Sequence, residues 1–489
     1  MAEIQETSSP LHIVVFPWLA FGHMIPFLEL SKRLARRGHA VTFVSTPRNA
    51  ARLGAVPPEL TARVRVVTLE LPAVEGLPDG AESMADVAPE KVELLKKAFD
   101  SLAAPFAALV GEGCASHTGG DGEADGFERK TDWIILDFAQ NWVWPIAEEH
   151  KIPCAMFLIL PAALLAYIGT KHDNEAHPRR TTEDCMAQPP WVPFPSTLSY
   201  RRHEAEAIAA GFRPNASGVS DIDRLLQLVH HPSCRLIVHR SCPEAEPWLF
   251  PLLTDLFAKP VVPAGLLLPG DVVDDEDGHA PGGGHEPFAA AVRWLDEQPR
   301  RSVIYVALGS EAPVTPAHIR DLAVGLELSG ARFLWAIRPQ SGDHSAGALL
   351  PDGFERRVAG RGVVRAGWVP QVRVLAHAAM GAFLTHCGWG STMESLFRFG
   401  HPLVMLPFVA DQGLIARAMA ARGVGVEVPR DDADRSFRGA DVAAAVRRVM
   451  MEEEGEALAR NAREMQEVVG DRVRQELYVD ELVFLQRYK

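Results

Sequence analysis

Residues 11–46, LHIVVFPWLAFGHMIPFLELSKRLARRGHAVTFVST, decide the fold. The apolar run LHIVVFPW reads as a strand. After a glycine comes a segment that sets Ile25, Leu28 and Leu34 inward and Lys32, Arg33, Arg36 and Arg37 outward, the spacing of an amphipathic helix. Gly38 stops that helix and AVTFVST opens a second strand, so the stretch is a βαβ unit. It predicts a parallel sheet with helices on its faces.

Outward from this unit, the next clear strand is DWIILD, residues 132–137. The glycine- and acid-rich stretch from Ala115 to Lys130 reads as a mobile surface insertion. Ile152 to Gly169 is uncharged and nearly long enough to cross a membrane. Pro153 and Pro161 divide it into a strand-like CAMFLIL and a helix-like PAALLAYIG, which read as buried core. Residues 171–215 lack periodicity and read as a lid or variable region. From Pro269 to Pro287, acids and glycines exclude a core and mark an interdomain linker. Beyond it the alternation restarts with SVIYVALGS, a helix from Pro316 to Gly330, RFLWAI, GVVRAGW, GAFLTHCG, PLVMLPF and VGVEV. This is a second doubly wound α/β domain. The expected division is 1–268, a linker at 269–287, 288–465, and a charged helical tail at 466–489 that crosses back to the first lobe.

Composition narrows the class. A chain of 489 residues suggests two or three domains; 47% apolar and 23% charged residues are the proportions of a soluble enzyme and exclude disordered, collagenous and multi-span membrane chains. Forty-nine basic against 63 acidic residues leave a net charge of −14, which argues against nucleic acid as a partner. Six cysteines without a CxxC pair point to reduced thiols rather than zinc or a disulfide framework. MAEIQETSSP lacks the basic start of a secretory signal, so a cytoplasmic location is expected, and with it a monomer without a membrane span.

His23 and Asp137 each follow a strand, at the carboxyl edge where parallel sheets bind ligands. An imidazole near a helix N-terminus is biased toward its neutral form. A carboxylate on its other nitrogen would fix the tautomer, so the pair reads as base and orienter. The plainer alternative has His23 capping its helix and Asp137 accepting backbone bonds. The richest stretch runs from Trp368 to Gln412. Strand GAFLTH delivers His386, and Cys387-Gly388-Trp389-Gly390 turns into a helix opening with Ser391, which makes an anion cradle. Against this, Ser391 and Glu394 fit an S-x-x-E capping box, in which both are spent structurally. Trp368 offers a stacking face or is simply core. Asp411 and Gln412 suit sugar hydroxyls or cap a helix. Ser310 donates to a phosphate or caps a turn.

The stretch Trp368–Gln412, with W-x-P-Q, L-A-H, H-C-G-W, S-T-x-E, G-x-P and D-Q in order, resembles the secondary-product signature box of plant family 1 UDP-dependent glycosyltransferases. PWLAFGHMIPFLEL, VEGLPDGAE, DWIILD, RWLDEQPRRSVIYVALGSE and FLWAIR extend the resemblance over nearly the whole chain. It implies a GT-B fold, two Rossmann-like doubly wound parallel-sheet domains facing a cleft, with acceptor on the first and nucleotide sugar on the second. By this similarity Trp368 stacks on uracil and Gln371 and Glu394 hold the ribose. Ser310, His386 and Ser391 hold the diphosphate, Asp411 and Gln412 the sugar hydroxyls, and Val369, Trp389 and Gly390 complete the donor set. His23, oriented by Asp137, deprotonates an acceptor hydroxyl. Attack on the anomeric carbon of UDP-glucose then inverts it to a β-glycoside, with UDP as leaving group and no metal required.

Two departures stand out. Most members carry asparagine where this chain has Gly390, so the cradle must rely more on backbone N–H groups. The box also holds one extra residue around Leu396–Phe399, to be absorbed by a helix-end adjustment. PWLAFGH, STPRN, VEGLPDGAE and FGHPLVMLP look closest to the branch that lengthens the sugar of an existing glycoside, such as a terpenoid or flavonoid glycoside of plant secondary metabolism. Phe27, Trp142, Trp144 and Phe157 are plausible acceptor walls, though core burial is the simpler reading of each. UDP-rhamnose is the rival donor, and a UDP-binding pseudoenzyme a further alternative. A nicotinamide oxidoreductase needs GxGxxG where this chain has WLAFGH, and a serine hydrolase needs a G-x-S-x-G elbow that does not occur.

Overall fold

The computed structural model describes residues 10–115, 127, 129–179, 181–215, 217–268, 285–309, 312–337, 349–367, 369–483 and 488. Most of the expected insertion at 115–130, namely 116–126 and 128, and most of the expected linker at 269–287, namely 269–284, lie outside the described residues. The chain forms two compact units. One comprises Met1–Pro178, Ala210–Pro269 and Arg472–Lys489, the other Arg179–Ala209 and Gly270–Asp471.

The first unit is built on seven parallel strands, β1 (His12–Phe16), β2 (Ala40–Ser45), β3 (Val64–Thr68), β4 (Trp133–Leu136), β5 (Cys154–Leu158), β6 (Cys234–His239) and β7 (Val261–Pro263), in the order β3-β2-β1-β4-β5-β6-β7. β1, β2, β4 and β5 are buried along their whole length, as a sheet covered on both faces requires, and β6 is buried except at Arg235. β1 continues into the helix Phe21–Arg36, which lays Leu28 and Leu34 into the core, but Ile25, expected inward, is 47% exposed. Two of the helix's outward arginines are also not simply solvated. Arg33 and Arg37 hold Glu476 and Asp480 of the helix Arg472–Val483 at 2.6 Å each. That helix buries Val479 and Leu482 in the first core, and its Gln475 Oε1 accepts the Leu266 N–H at 2.7 Å. The stretch 152–169 is interior: β5 and the helix Ala162–Ile168 are buried throughout, and no described helix is long and apolar enough to cross a membrane.

The second unit repeats the plan with six parallel strands, β8 (Val303–Ala307), β9 (Arg332–Ile337), β10 (Gly362–Ala366), β11 (Met380–Thr385), β12 (Leu403–Met405) and β13 (Gly425–Glu427), in the order β10-β9-β8-β11-β12-β13. Both sheets therefore reverse strand order once, between β1 and β4 and between β8 and β11. At such a switch point the loops diverge and leave a crevice at the carboxyl edge. Residues 171–215, read as irregular, contain three short helices, Lys171–Ala176, Thr182–Met186 and Arg202–Gly211. Residues 179–209, placed by the sequence reading with the N-terminal half, fold with the second unit. All six cysteines are free, and all but Cys114 are buried.

Candidate active site

Parallel pairing of β1 with β4 matches Phe16 to Leu136, which brings the residues just beyond each strand to the first switch point. There His23, in the first turn of its helix, places Nδ1 2.7 Å from Asp137 Oδ2. The carboxylate is 1% exposed and the imidazole 14%. Asp137 is held from several sides: Oδ2 accepts the Trp18 N–H at 2.9 Å, Oδ1 the Phe138 N–H at 2.8 Å, and its own N–H donates to Gln140 Oε1. Gln140 in turn donates to the Phe16 carbonyl, tying the end of β4 to the end of β1. A carboxylate so fixed accepts a proton-bearing Nδ1 and makes Nε2 the basic nitrogen of the ring. Gln140 was not foreseen; its only signal was a side-chain amide three residues past the aspartate.

At the second switch point β8 and β11 pair Ala307 with Thr385, so Gly309 and His386 emerge side by side. The His386 ring is wedged between two glycines. A Cβ on Gly309 would lie 2.6 Å from Cε1, and one on Gly388 2.5 Å from Nε2. Burial lowers the His386 pKa to about 4, so the ring is neutral, and its buried Nδ1 has no hydrogen-bond partner among the described residues. The chain then turns through Cys387, in the left-handed region at φ 65°, with its N–H on Thr385 Oγ1 at 3.2 Å. A helix begins at Trp389 with Gly388 as its cap, and the first turn of a helix offers amides that its own carbonyls do not use.

This start overturns the capping-box alternative. Ser391 is the third helical residue rather than the cap, and Glu394 Oε2 accepts from Gln371 Nε2 at 2.8 Å. Gln371 also donates to Ser391 Oγ at 3.3 Å, so three of the expected donor residues meet. The helix passes into a π turn at Met393–Phe397. A π turn carries one residue more than an α turn, and it sits before the helix end at which the extra residue of the box was expected to be absorbed. Trp389 is buried with its indole edge-on to Phe397, and Gly390 and Val369 are half-buried. Asp411 occupies the N-cap position of the helix Gln412–Ala421 without a side-chain capping bond, and Gln412 Oε1 accepts the N–H groups of Phe408 and Val409, leaving its amide as donor. Ser310 and Trp368 lie outside the described residues. Phe27 and Phe157 pack against each other in the core, and Trp144 stacks on His231, so these three are interior residues.

Residues 274–477 match the family described as UDP-glucoronosyl and UDP-glucosyl transferase. The chain is 39% identical over 486 residues to UDP-glycosyltransferase 91C1 of Arabidopsis thaliana, covering 99% of this chain and 98% of that one. The chain belongs to the plant family 1 UDP-dependent glycosyltransferases. Its branch is the one anticipated from PWLAFGH and FGHPLVMLP. This glycosyltransferase is also 35% identical over 492 residues to soyasaponin III rhamnosyltransferase of Glycine max, covering 99% and 97% of the two chains. A UDP-glucosyltransferase from Polygonum tinctorium capable of glucosylating indoxyl shares the glycosyltransferase's fold at 24% identity, with a TM-score of 0.73 over 99% of this chain and 100% of that chain. The fold is GT-B, and the glycosyltransferase uses a UDP-sugar donor and a small-molecule acceptor.

Proposed function

We propose that this glycosyltransferase moves glucose from UDP-glucose, with inversion and without a metal, onto a hydroxyl of the sugar of a small glycoside such as a terpenoid or flavonoid glycoside, acting as a cytoplasmic monomer. The reading is carried by the His23–Asp137 contact of 2.7 Å at the first switch point. Asp137 holds the Nδ1 proton and steadies the imidazolium, while Nε2 takes the acceptor hydroxyl's proton. The freed oxygen forms the new bond at the anomeric carbon as the bond to UDP breaks, and the electron pair leaves with the diphosphate. The neutral His386 and the amides at the start of the helix at Trp389 serve that leaving group. Ser310 completes the diphosphate contacts, Trp368 stacks on the uracil, Val369, Trp389 and Gly390 complete the donor set, and Gln371 with Glu394 takes the ribose. Asp411 and Gln412 hold the sugar hydroxyls. The free cysteines suit a reducing compartment.

Rhamnose is the second reading of the donor, favoured by the similarity to a soyasaponin rhamnosyltransferase. A panel of UDP-glucose and UDP-rhamnose against aglycones and monoglycosides, read by mass spectrometry, tests both. Glucose addition to monoglycosides is expected. Reaction of bare aglycones alone ends the sugar-lengthening reading, and turnover with UDP-rhamnose alone replaces the donor.

A further inference from the structure

The segment 179–209 enters the second unit carrying a buried acid. Glu204, 6% exposed, sits in the first turn of the helix Arg202–Gly211 and accepts the Arg201 N–H at 2.8 Å. Its Oε2 lies 2.8 Å from Arg417 on the helix Gln412–Ala421, which Asp411 directly precedes. Between the two side chains stands Gly413. A Cβ there would fall on Glu204 Oε1 and come within 2.7 Å of the Arg417 guanidinium. The carboxylate therefore occupies the space any other residue at 413 would need, pressed against the backbone that directly follows Asp411 and Gln412. Arg201–Glu427 at 2.7 Å and His203–Asp432 at 2.8 Å fasten the same segment on either side.

A buried ion pair adds little net stability against its desolvation cost, yet leaving one partner behind is expensive. What it supplies here is a fixed seat for the start of one helix. We propose that Glu204 is a positioning residue for the donor sugar, setting the helix turn that presents Asp411 and Gln412. The proposal rests on the reading of that pair as the sugar-hydroxyl site.

The test compares the KM for the UDP-sugar that turns over with the calorimetric Kd for UDP, which lacks the sugar. Glu204→Gln and Glu204→Ala are expected to raise KM about tenfold, as sub-ångström misplacement of a binding group does, while the Kd for UDP stays within about twofold. Gly413→Ala is expected to do the same alone and to add little in the Glu204→Ala background, where the methyl takes the vacated space. An unchanged KM in Glu204→Gln, a parallel change in UDP affinity, or additive effects of the two substitutions overturns the proposal. Asp411→Ala separates the two levels. If it leaves KM unchanged, the sugar-site reading itself fails. If it raises KM while the Glu204 variants do not, the positioning role alone fails.

Discussion

Replacing Asp137 by asparagine separates charge from shape. The amide can keep the contact to His23 but presents the wrong partner to Nδ1–H and cannot stabilise an imidazolium. Asp137→Asn is expected to lower kcat by about a hundredfold or more, with UDP affinity unchanged by calorimetry, since a positioned base contributes on the order of 10² to 10⁴. Gly309→Ala should do the reverse. Its methyl would drive into His386, and a roughly tenfold loss of UDP affinity is expected by the same calorimetry, in line with the cost of losing one or two charge-assisted hydrogen bonds. His23, Asp137 and His386 were legible because strand ends can be read from apolar runs, and a switch point turns strand ends into a site, whereas the close approach of Gly309 to His386 had no sequence signal. The roles of Ser391 and Glu394 were ambiguous for a physical reason. S-x-x-E marks a helix start only if the serine is the cap, and here the helix begins two residues earlier. No sequence rule announces that a glutamine 23 residues upstream will take up the glutamate.

Among the elements, the helix Arg472–Val483 offers the cleanest measurement. Gln475→Ala leaves the buried Leu266 N–H without its acceptor, and a loss of about 1–3 kcal/mol is expected in denaturant unfolding. Arg37→Ala should cost less, within about 1 kcal/mol, because Glu476 and Asp480 are half exposed, and the difference should shrink in high salt. The arginines of the first helix looked solvent-facing in the sequence, since periodicity assigns faces but not neighbours. The interior strands β1, β2, β4 and β5 were readable because both of their faces are covered, whereas β6 was not read, its run being broken by the exposed Arg235. β3 was not, because only part of an edge strand is buried and Arg65 interrupts its run. β7 is three residues long and ends in a proline. The three short helices of 171–215 escaped notice because none is long enough to show a period.

At the level of the folded chain, three histidines set an acid limit. Burial lowers His39, His239 and His386 to about 4 each. His39 Nδ1 accepts the Leu11 N–H at 3.1 Å, a bond that only an unprotonated nitrogen can make. The unfolded chain takes up these protons near pH 6.5, while the folded one resists them down to about 4. Their stabilisation is therefore complete above 6.5 and is lost as pH falls through that window, by up to roughly 3 kcal/mol per ring. Unfolding midpoints at pH 7.5, 5.5 and 4.5 should fall in that order, and His39→Gln should flatten the slope. The buried thiols have a practical corollary of another kind. A maleimide dye added to the native enzyme has a single address, Cys114, at the end of the helix that leads into the acidic insertion, so one fluorophore per molecule can be attached there without engineering out any other sulfur.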